Sequence, residues 1–225
     1  MKIAVMEKSA VTKGDVDFTP LEKLAEIVYF DGTEYSQLKD AVGDADGVIV
    51  NKSRVDAALM DACPNLKYVG TFATGYNNVD VSAAKARNIV VCNVPDYSSD
   101  AVAQHAMGFI LMTASGLYDY VASVNRGDWI KSKSFCYYPY YLTELKGKTL
   151  GILGLGNIGK KVAALGRAFG MNVIACTRTR REDSEYETVD LERLFKESDW
   201  LTLHAPLTEN TKEIVCAKTL SLMKK

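Results

Sequence analysis

"TLGILGLGNIGKKVAALGRAFGMNVIACT", residues 149–177, carries the clearest sign of the fold in this chain. Its first apolar run predicts a strand that ends in a glycine-rich turn, and "MNVIACT" predicts a second strand. Between them lies a predicted helix, closed by Gly170, whose apolar face holds Ile158, Val162, Leu165 and Phe169. This order of elements is the beginning of a parallel sheet with crossover helices, so the stretch predicts an α/β fold.

Three glycines of the turn, Gly154, Gly156 and Gly159, fit the pattern G-x-G-x-x-G. Between a strand and a helix, each has a purpose: the tight turn, the approach of backbone to a pyrophosphate, and close helix–strand packing. The N-terminus of the helix adds unpaired N–H groups that favour phosphate oxygens. The pattern therefore predicts a dinucleotide-binding turn. A purely structural glycine turn and the turn of a methyltransferase are the alternatives.

"CTRTRR", residues 176–181, follows the second strand, where a dinucleotide-binding unit usually places an Asp or Glu for the ribose hydroxyls. Here the chain offers hydroxyls and cations that suit a 2′-phosphate, from Thr177, Arg178, Thr179, Arg180 and Arg181. Arginines bind phosphate through charge-assisted, forked hydrogen bonds. We expect NADP to be the cofactor, with NAD possible. The alternative is a solvated basic turn neutralised locally by Glu182, Asp183 and Glu185.

The first hundred residues alternate apolar runs with helical patterns. We expect strands at 2–7, 27–31, 47–51, 67–73 and 89–94. Helices are expected near 20–27, 35–42, 55–62 and 80–87. Asp80 is the expected N-cap of the last helix. The polar "NVPDYSSD", residues 93–100, then predicts a domain boundary, so that 1–100 and 101–225 form two domains.

Two segments link this region to the glycine turn. Residues 101–115 predict a long helix, capped by Ser99 or Asp100, that is almost fully apolar and is therefore expected to be buried between domains or between subunits. Residues 125–148 form an aromatic-rich, irregular arm with little periodicity. The arm suits either a subunit interface or an intramolecular lid.

The last part of the chain continues the alternation. "DLERLFKES" predicts a helix, "WLTLHAP" a third strand, and "CAKTLSLMKK" a crossover helix. In a doubly wound sheet that crossover delivers a strand to the side of the first strand. We therefore expect "TLGILGLG" to keep one side unpaired within these 225 residues, and an exposed apolar edge to favour association with other chains.

Composition limits the function classes. The net charge of −1 gives no general attraction to nucleic acid or to acidic membranes. No secretory signal and no apolar stretch of roughly 20 residues is evident, so neither membrane nor nucleic acid is an expected partner. The cysteines are odd in number and widely spaced, which favours reduced thiols in the cytoplasm and argues against a zinc site; they are Cys63, Cys92, Cys136, Cys176 and Cys216. We expect most of them to be buried.

Three longer stretches resemble the D-isomer-specific 2-hydroxyacid dehydrogenases, and within them the glycerate dehydrogenases (hydroxypyruvate reductases). They are "FATGYNNVDVSAAKARNIVVCNVPDYSSDAVAQHA", "SFCYYPYYLTELKGKTLGILGLGNIGKKVAALGRAFGMNVIA" and "SDWLTLHAPLTENTKEIV". The resemblance implies two doubly wound parallel-sheet domains, with the active site in the cleft between them. The first is a flavodoxin-like, substrate-binding domain at 1–100, and the second a Rossmann domain at 101–225. It also implies a homodimer that uses the long helix and the arm, and a small 2-keto or 2-hydroxy acid as substrate.

The resemblance also assigns residues. The backbone N–H groups of Thr74 and Gly75, in "ATGYNNVD", would bind the substrate carboxylate, with Thr74 also near the nicotinamide. Read without the family, this segment is a strand-to-helix turn. The pyrophosphate contacts fall on Asn157 and Ile158. The loop beside the nicotinamide half of the cofactor falls on Ala205 and Pro206.

Catalytic residues are not among the assigned ones. The family's Arg, Glu and His lie beyond its equivalent of "LSLMKK", so we assign no catalytic residue here. His204 belongs to the family's H-x-P-L-T motif and is not the proton donor, and His105 is expected to be a packed structural histidine. The hypotheses that remain are a truncated fragment of an NADP-dependent dehydrogenase, a catalytically inactive nucleotide-binding or regulatory protein, and an unrelated activity such as methyl transfer.

Overall fold

The computed structural model of the chain describes residues 1–31, 34–178 and 185–224. The chain divides into two compact units, Met1–Tyr97 and Ser98–Lys225. Each unit is built on one sheet whose strands all pair in parallel. The predicted α/β fold with two parallel sheets is confirmed.

The first sheet contains the five strands that the sequence predicts. They are β1 (Lys2–Met6), β2 (Glu26–Phe30), β3 (Gly47–Val50), β4 (Tyr68–Thr71) and β5 (Val90–Cys92), in the order β2-β1-β3-β4-β5. This is the flavodoxin-like order. Central strands bury both faces: in β3, Val48 and Val50 pack in one apolar cluster and Ile49 packs in another. Burial on both faces explains why these strands read as continuous apolar runs.

The helices of the first unit are short. They are α1 (Lys8–Val11), α2 (Thr19–Glu22), α3 (Leu38–Val42) preceded by a 3₁₀ turn at Tyr35–Gln37, α4 (Ala57–Ala62) and α5 (Val81–Ala86). The side chain of Asp80 accepts a hydrogen bond from the Ala83 amide at 2.8 Å, which confirms its expected role as N-cap. The expected helix at 20–27 was too long, because α2 ends at Glu22 and Glu26 already belongs to β2. The short α1 was not predicted.

The second unit begins with two helices and continues with a four-stranded sheet. Its elements are α6 (Ser99–Ala114), α7 (Leu117–Asn125), β6 (Thr149–Leu153), α8 (Asn157–Ala168), β7 (Asn172–Cys176), β8 (Glu187–Thr188), α9 (Leu191–Glu197), β9 (Trp200–Leu203) and α10 (Ala217–Leu220). The strand order is β8-β7-β6-β9. This is the 3-2-1-4 order that begins a Rossmann sheet.

The expectation that "TLGILGLG" keeps an unpaired side was wrong. β9 pairs directly with β6, with Leu150 opposite Trp200, while β7 pairs on the other side of β6. "WLTLHAP" was predicted to be the third strand of this sheet, but β8 takes that place beside β7. Two residues of strand carry too little pattern to be recognised from sequence.

The face of α8 that packs on the sheet agrees with the prediction in part: Val162 is buried and Ile158 packs against the apolar core. Its buried residues are Gly159, Val162, Ala163 and Gly166, whereas Leu165 and Phe169 are exposed. A Cβ atom on Gly166 would lie 2.5 Å from Leu150 Cδ2. Small residues therefore bring the helix close to β6, and the large side chains of Leu165 and Phe169 point outward.

The helix α6 is buried along one face only. Its N-cap is Ser98, which precedes both expected caps, Ser99 and Asp100. The buried positions follow helical spacing at Ala103, Met107, Ile110 and Ala114, while Phe109 on the other face is 54% exposed. The expectation of burial all round does not hold within the unit.

The cysteines differ from expectation as well. Cys63 is buried and Cys176 half-buried, whereas Cys92, Cys136 and Cys216 are exposed, so burial holds for a minority. None of the helices found in the described ranges has the length and apolar character of a membrane-spanning segment.

Candidate dinucleotide-binding site

The glycine turn between β6 and α8 is built so tightly that two of its glycines cannot be replaced. Gly154 has φ of 95°, and a Cβ atom there would lie 2.8 Å from the Ala205 amide nitrogen. A Cβ atom on Gly159 would clash with the carbonyl oxygen of Gly154. The first and third glycines of the motif thus make the turn and the helix–strand contact that the pattern predicts.

The middle glycine differs from the other two. A Cβ atom on Gly156 would meet no atom within 4 Å, so open space faces this residue. Gly156 is also the N-cap of α8, and no side chain caps the helix. The first N–H groups of α8 therefore remain available to an anion, whose charge the helix dipole would favour.

Backbone hydrogen bonds hold the turn at the carboxyl edge of the second sheet. The Gly154 amide donates to the Cys176 carbonyl oxygen at 2.8 Å, and the His204 amide donates to the Leu153 carbonyl oxygen at 2.7 Å. The ends of β6, β7 and β9 are thus tied together. In open parallel sheets, the edge at the carboxyl ends of the strands is where ligands bind.

A cleft of about 870 Å³ opens at this edge of the sheet. Of the residues predicted to bind the cofactor, those on the cleft wall are Gly154, Gly156, Thr177, Arg178, Ala205 and Pro206. The structure thus brings together the glycine turn, the end of β7 and the loop after β9.

Other predicted residues stand elsewhere. Asn157 is exposed at the first position of α8, Ile158 is half-buried and packs into the apolar core, and Gly159 is buried. None of these three lines the cleft. Thr179 and Arg180 lie outside the described residues, as does Arg181.

Most of the apolar wall of the cleft, and a polar loop beside it, were not predicted from the sequence. The apolar members are Leu155, Tyr186, Leu191 and Ile214. In the loop, the Thr211 hydroxyl donates to the Pro206 carbonyl oxygen at 2.6 Å and accepts from the Thr208 amide at 2.8 Å. The pattern T-x-x-T within "LTENT" could have indicated this turn, because threonine hydroxyls bond to nearby backbone. The four residues of the apolar wall come from four separate segments of the chain, so no local sequence pattern indicates that they meet.

Charges cluster where the cleft meets the end of β7. Arg178 and Lys160 are exposed and line the cleft. Glu185, which the sequence offered as a local partner for the arginines, also lines the cleft, and its carboxylate lies 3.7 Å from Arg167. Arg167 in turn lies over the ring of Tyr186.

The two histidines have different surroundings. Burial lowers the pKa of His204, which favours the neutral imidazole, and its Nε2 lies 2.8 Å from the Thr202 hydroxyl. His105 is exposed rather than packed in a core, and its ring meets Phe109 edge-on at 4.7 Å. Among the described residues, no group of His, Cys, Asp and Glu is arranged to hold a metal ion.

The predicted substrate loop lies in the first unit, directly after β4. The Thr74 hydroxyl donates to the Val94 carbonyl oxygen at 3.1 Å, and the Asn93 side-chain amide donates to the Thr74 carbonyl oxygen at 2.8 Å. The amides of Thr74 and Gly75 make no hydrogen bond within the described part of the chain, and both residues are exposed. A Cβ atom on Gly75 would meet nothing within 4 Å. Two fixed, free amides of this kind suit an anion.

Comparison with known proteins agrees with this geometry. The model of a family described as D-isomer specific 2-hydroxyacid dehydrogenase, NAD binding domain, matches residues 107–225. Hydroxypyruvate reductase of Blautia hydrogenotrophica is 35% identical over 230 residues, which cover 100% of this chain and 71% of that protein. The chain spans between 59% and 71% of the length of three curated relatives that it matches.

Solved structures show the same architecture. An acyclic imino acid reductase (Bsp5) in complex with NADPH and D-Arg matches with a TM-score of 0.86 and 27% identity, covering 100% of this chain and 71% of that one. D-Lactate dehydrogenase of Aquifex aeolicus, complexed with NAD and lactic acid, matches with a TM-score of 0.84 and 27% identity over 99% of this chain and 66% of that one. One of these structures contains NADPH and the other NAD.

Proposed function

Because the chain belongs to the D-isomer-specific 2-hydroxyacid dehydrogenase family, we propose that the cleft of its second unit binds a nicotinamide dinucleotide. The reaction that we assign to the protein is hydride transfer between this cofactor and a small 2-keto or 2-hydroxy acid such as hydroxypyruvate or glycerate. The observation that carries the proposal is the glycine turn. Backbone atoms of the protein leave no room for a side chain at Gly154 and Gly159. Gly156, in contrast, faces open space at the N-terminus of a helix that no side chain caps.

The cofactor contacts that we propose fall on the wall of the cleft and on the first turn of α8 beside it. Gly156 and the first amides of α8, at Asn157 and Ile158, would bind the pyrophosphate. Thr177 and Arg178 would lie along the adenosine half. Ala205 and Pro206 would lie along the nicotinamide half. The bound cofactor supplies or accepts the hydride, and the protein orients it.

NADP is the cofactor that we propose. Support comes from Thr177, which stands at the end of β7 where a carboxylate would repel a 2′-phosphate, and from Arg178, which is exposed on the cleft wall. A guanidinium pairs with a phosphate through two parallel hydrogen bonds. Thr179 and Arg180 belong to the same proposed group on the evidence of sequence.

The experiment is a calorimetric titration of the chain with NADPH and with NADH, repeated for Arg178→Ala. A hydrogen bond to a charged group contributes about 1.5–3 kcal/mol, so one lost contact should weaken NADPH binding roughly tenfold or more. NADH binding should change by less than about twofold, because NADH has no 2′-phosphate to lose. The matched control is Arg54→Ala, an exposed arginine of the first unit.

Two outcomes would count against this proposal. Equal affinity of the unmodified chain for NADPH and NADH would defeat the choice of NADP and leave dinucleotide binding intact. Failure of both nucleotides to bind would defeat the proposed function of the cleft.

The substrate site that we propose uses the loop after β4. The free amides of Thr74 and Gly75 would bind the substrate carboxylate without placing a second ionised side chain beside the hydride acceptor. Two hydrogen bonds tie Thr74 to the segment after β5, one to Val94 and one from Asn93, and they limit the directions that these amides can take.

A homodimer is the third part of the proposal. The arm at 125–148 carries large apolar side chains that the described structure leaves in solvent: Ile130 is 91% exposed, Phe135 88% and Tyr141 101%. The outer face of α6 adds Phe109. Exposed apolar groups of this size usually mark an interface, and a second copy of the chain is the partner that we propose.

A further inference from the structure

Glu7, immediately after β1, is held in an unusual way. Its backbone is left-handed, with φ 59° and ψ 38°. Residues other than glycine, asparagine and aspartate rarely adopt this conformation. Its carboxylate accepts hydrogen bonds from three consecutive amides that follow β3: Asn51 at 2.8 Å, Lys52 at 2.9 Å and Ser53 at 3.1 Å. Successive backbone amides of this kind form an anion-binding concavity, and Glu7 fills it.

The Glu7 carboxylate is charged in this setting. Partial burial acts to raise its pKa, but the amides of Asn51, Lys52 and Ser53 together lower it more, so that the pKa lies below its ordinary value. A turn at the end of a strand does not need such a group, since glycine or asparagine would adopt the left-handed backbone with less strain. The carboxylate therefore serves the loop that it binds.

That loop is joined to the proposed substrate loop. The Asn78 side-chain amide donates to the Ser53 carbonyl oxygen at 2.9 Å, and the Val55 amide donates to the Asn78 carbonyl oxygen at 2.8 Å. The Asp80 amide then donates to the Val55 carbonyl oxygen at 2.9 Å. Residues 74–80 are thus held by the β5 side through Thr74 and by the β3 side through Asn78.

We propose that Glu7 is a positioning residue for carboxylate binding: it fixes residues 51–53, and through Asn78 it fixes the free amides of Thr74 and Gly75. This inference rests on the proposed function of those amides as the substrate carboxylate site. Amides bind an anion tightly when they are already aimed at it, and misplacement of a binding group by about 1 Å can cost on the order of 100-fold in activity. Every contact in the chain of bonds lies within the first unit.

The test is an NMR titration of the ¹⁵N-labelled chain with oxamate, a non-reducible analogue of a 2-keto acid, in the presence of NADPH. The amide signals of Thr74 and Gly75 should shift and saturate. In Glu7→Gln the oxamate affinity should fall about tenfold or more, because the side chain loses its charge and one acceptor oxygen. NADPH affinity should stay unchanged, and the control Glu26→Gln, an exposed glutamate on β2, should behave as the unmodified chain.

A second variant separates positioning from simple loss of structure. Glu7→Gly removes the carboxylate and accepts the left-handed backbone without strain, and it leaves the three amides free. Formate should then restore oxamate binding by taking the place of the missing carboxylate, at concentrations that do not displace oxamate from the unmodified chain. A merely structural role would show no rescue by formate.

The outcomes are distinct. Oxamate affinity equal to that of the unmodified chain in both Glu7 variants would overturn the inference and leave the substrate loop intact. Weakened binding in Glu7→Gly that formate does not restore would also overturn it. If oxamate shifts neither amide in the unmodified chain, the proposed substrate site fails, and the role of Glu7 fails with it.

Discussion

Replacement of Gly156 by valine should impair binding of a ligand at the glycine turn and leave the fold intact. A Cβ atom at this position meets nothing within 4 Å, and the backbone is extended, with φ −76° and ψ −166°, which valine adopts easily. The free energy of unfolding should therefore change by less than about 0.5 kcal/mol. The isopropyl group would occupy the space through which a pyrophosphate reaches the amides of α8. Loss of one hydrogen bond to a charged oxygen costs about 1.5–3 kcal/mol, which predicts that NADPH binding weakens by about 10- to 150-fold.

The assay is calorimetric titration with NADPH, together with urea unfolding of the same samples. The matched control is Gly108→Val on α6, where a Cβ atom also meets nothing within 4 Å. The control should bind NADPH as the unmodified chain does. NADPH binding of unchanged affinity by a well-folded Gly156→Val protein would refute the assignment of the turn to the pyrophosphate.

Three further predictions concern packing, pH and assembly. Gly166→Ala should destabilise the chain by about 1–2 kcal/mol in urea unfolding, because the added methyl group overpacks the contact between α8 and the sheet. The control Gly108→Ala should leave the stability unchanged or raise it by up to about 1 kcal/mol. Equal effects of the two substitutions would contradict the close packing of α8. Because the pKa of Glu7 is lowered in the folded chain, its ionised carboxylate stabilises the fold at pH values above its ordinary pKa of 4.5, and this stabilisation is lost as the pH falls through the folded pKa. In urea unfolding, the stability difference between the unmodified chain and Glu7→Gln should therefore shrink below about pH 4.5. A difference that stays constant from pH 7 to pH 3 would contradict this linkage. Light scattering should find a dimer for the unmodified chain and a monomer for a variant with Phe135→Ser and Tyr141→Ser; a dimer in both would exclude the arm as the interface.

The fold was largely predictable from sequence because strands buried on both faces leave a clear signal. All five strands of the first sheet were placed within a few residues, and β6, α8 and β7 followed from the stretch at 149–177. The error in the second sheet came from β8, whose two residues show no alternation or apolar run. Missing it shifted the count of strands and produced the false expectation of an unpaired β6.

The site was predictable where a local rule applies and not where distant segments meet. Gly154 and Gly159 were identified because a tight turn excludes side chains whatever the ligand. On α8 the burial of Leu165 and Phe169 was wrongly predicted, because a helix that lies very close to a sheet buries small residues such as Gly159, Ala163 and Gly166 there. The Glu7 contact with residues 51–53 joins the ends of two strands that are far apart in sequence, so no pattern announces it.

The most direct test of the account is a crystal structure of the chain with NADPH. We expect the dinucleotide in the cleft of the second unit, with pyrophosphate oxygens about 2.7–3.2 Å from the amides of Gly156, Asn157 or Ile158. We also expect the 2′-phosphate beside Thr177 and Arg178. NADPH bound at another place, or no bound nucleotide at concentrations that saturate related dehydrogenases, would contradict the central claim.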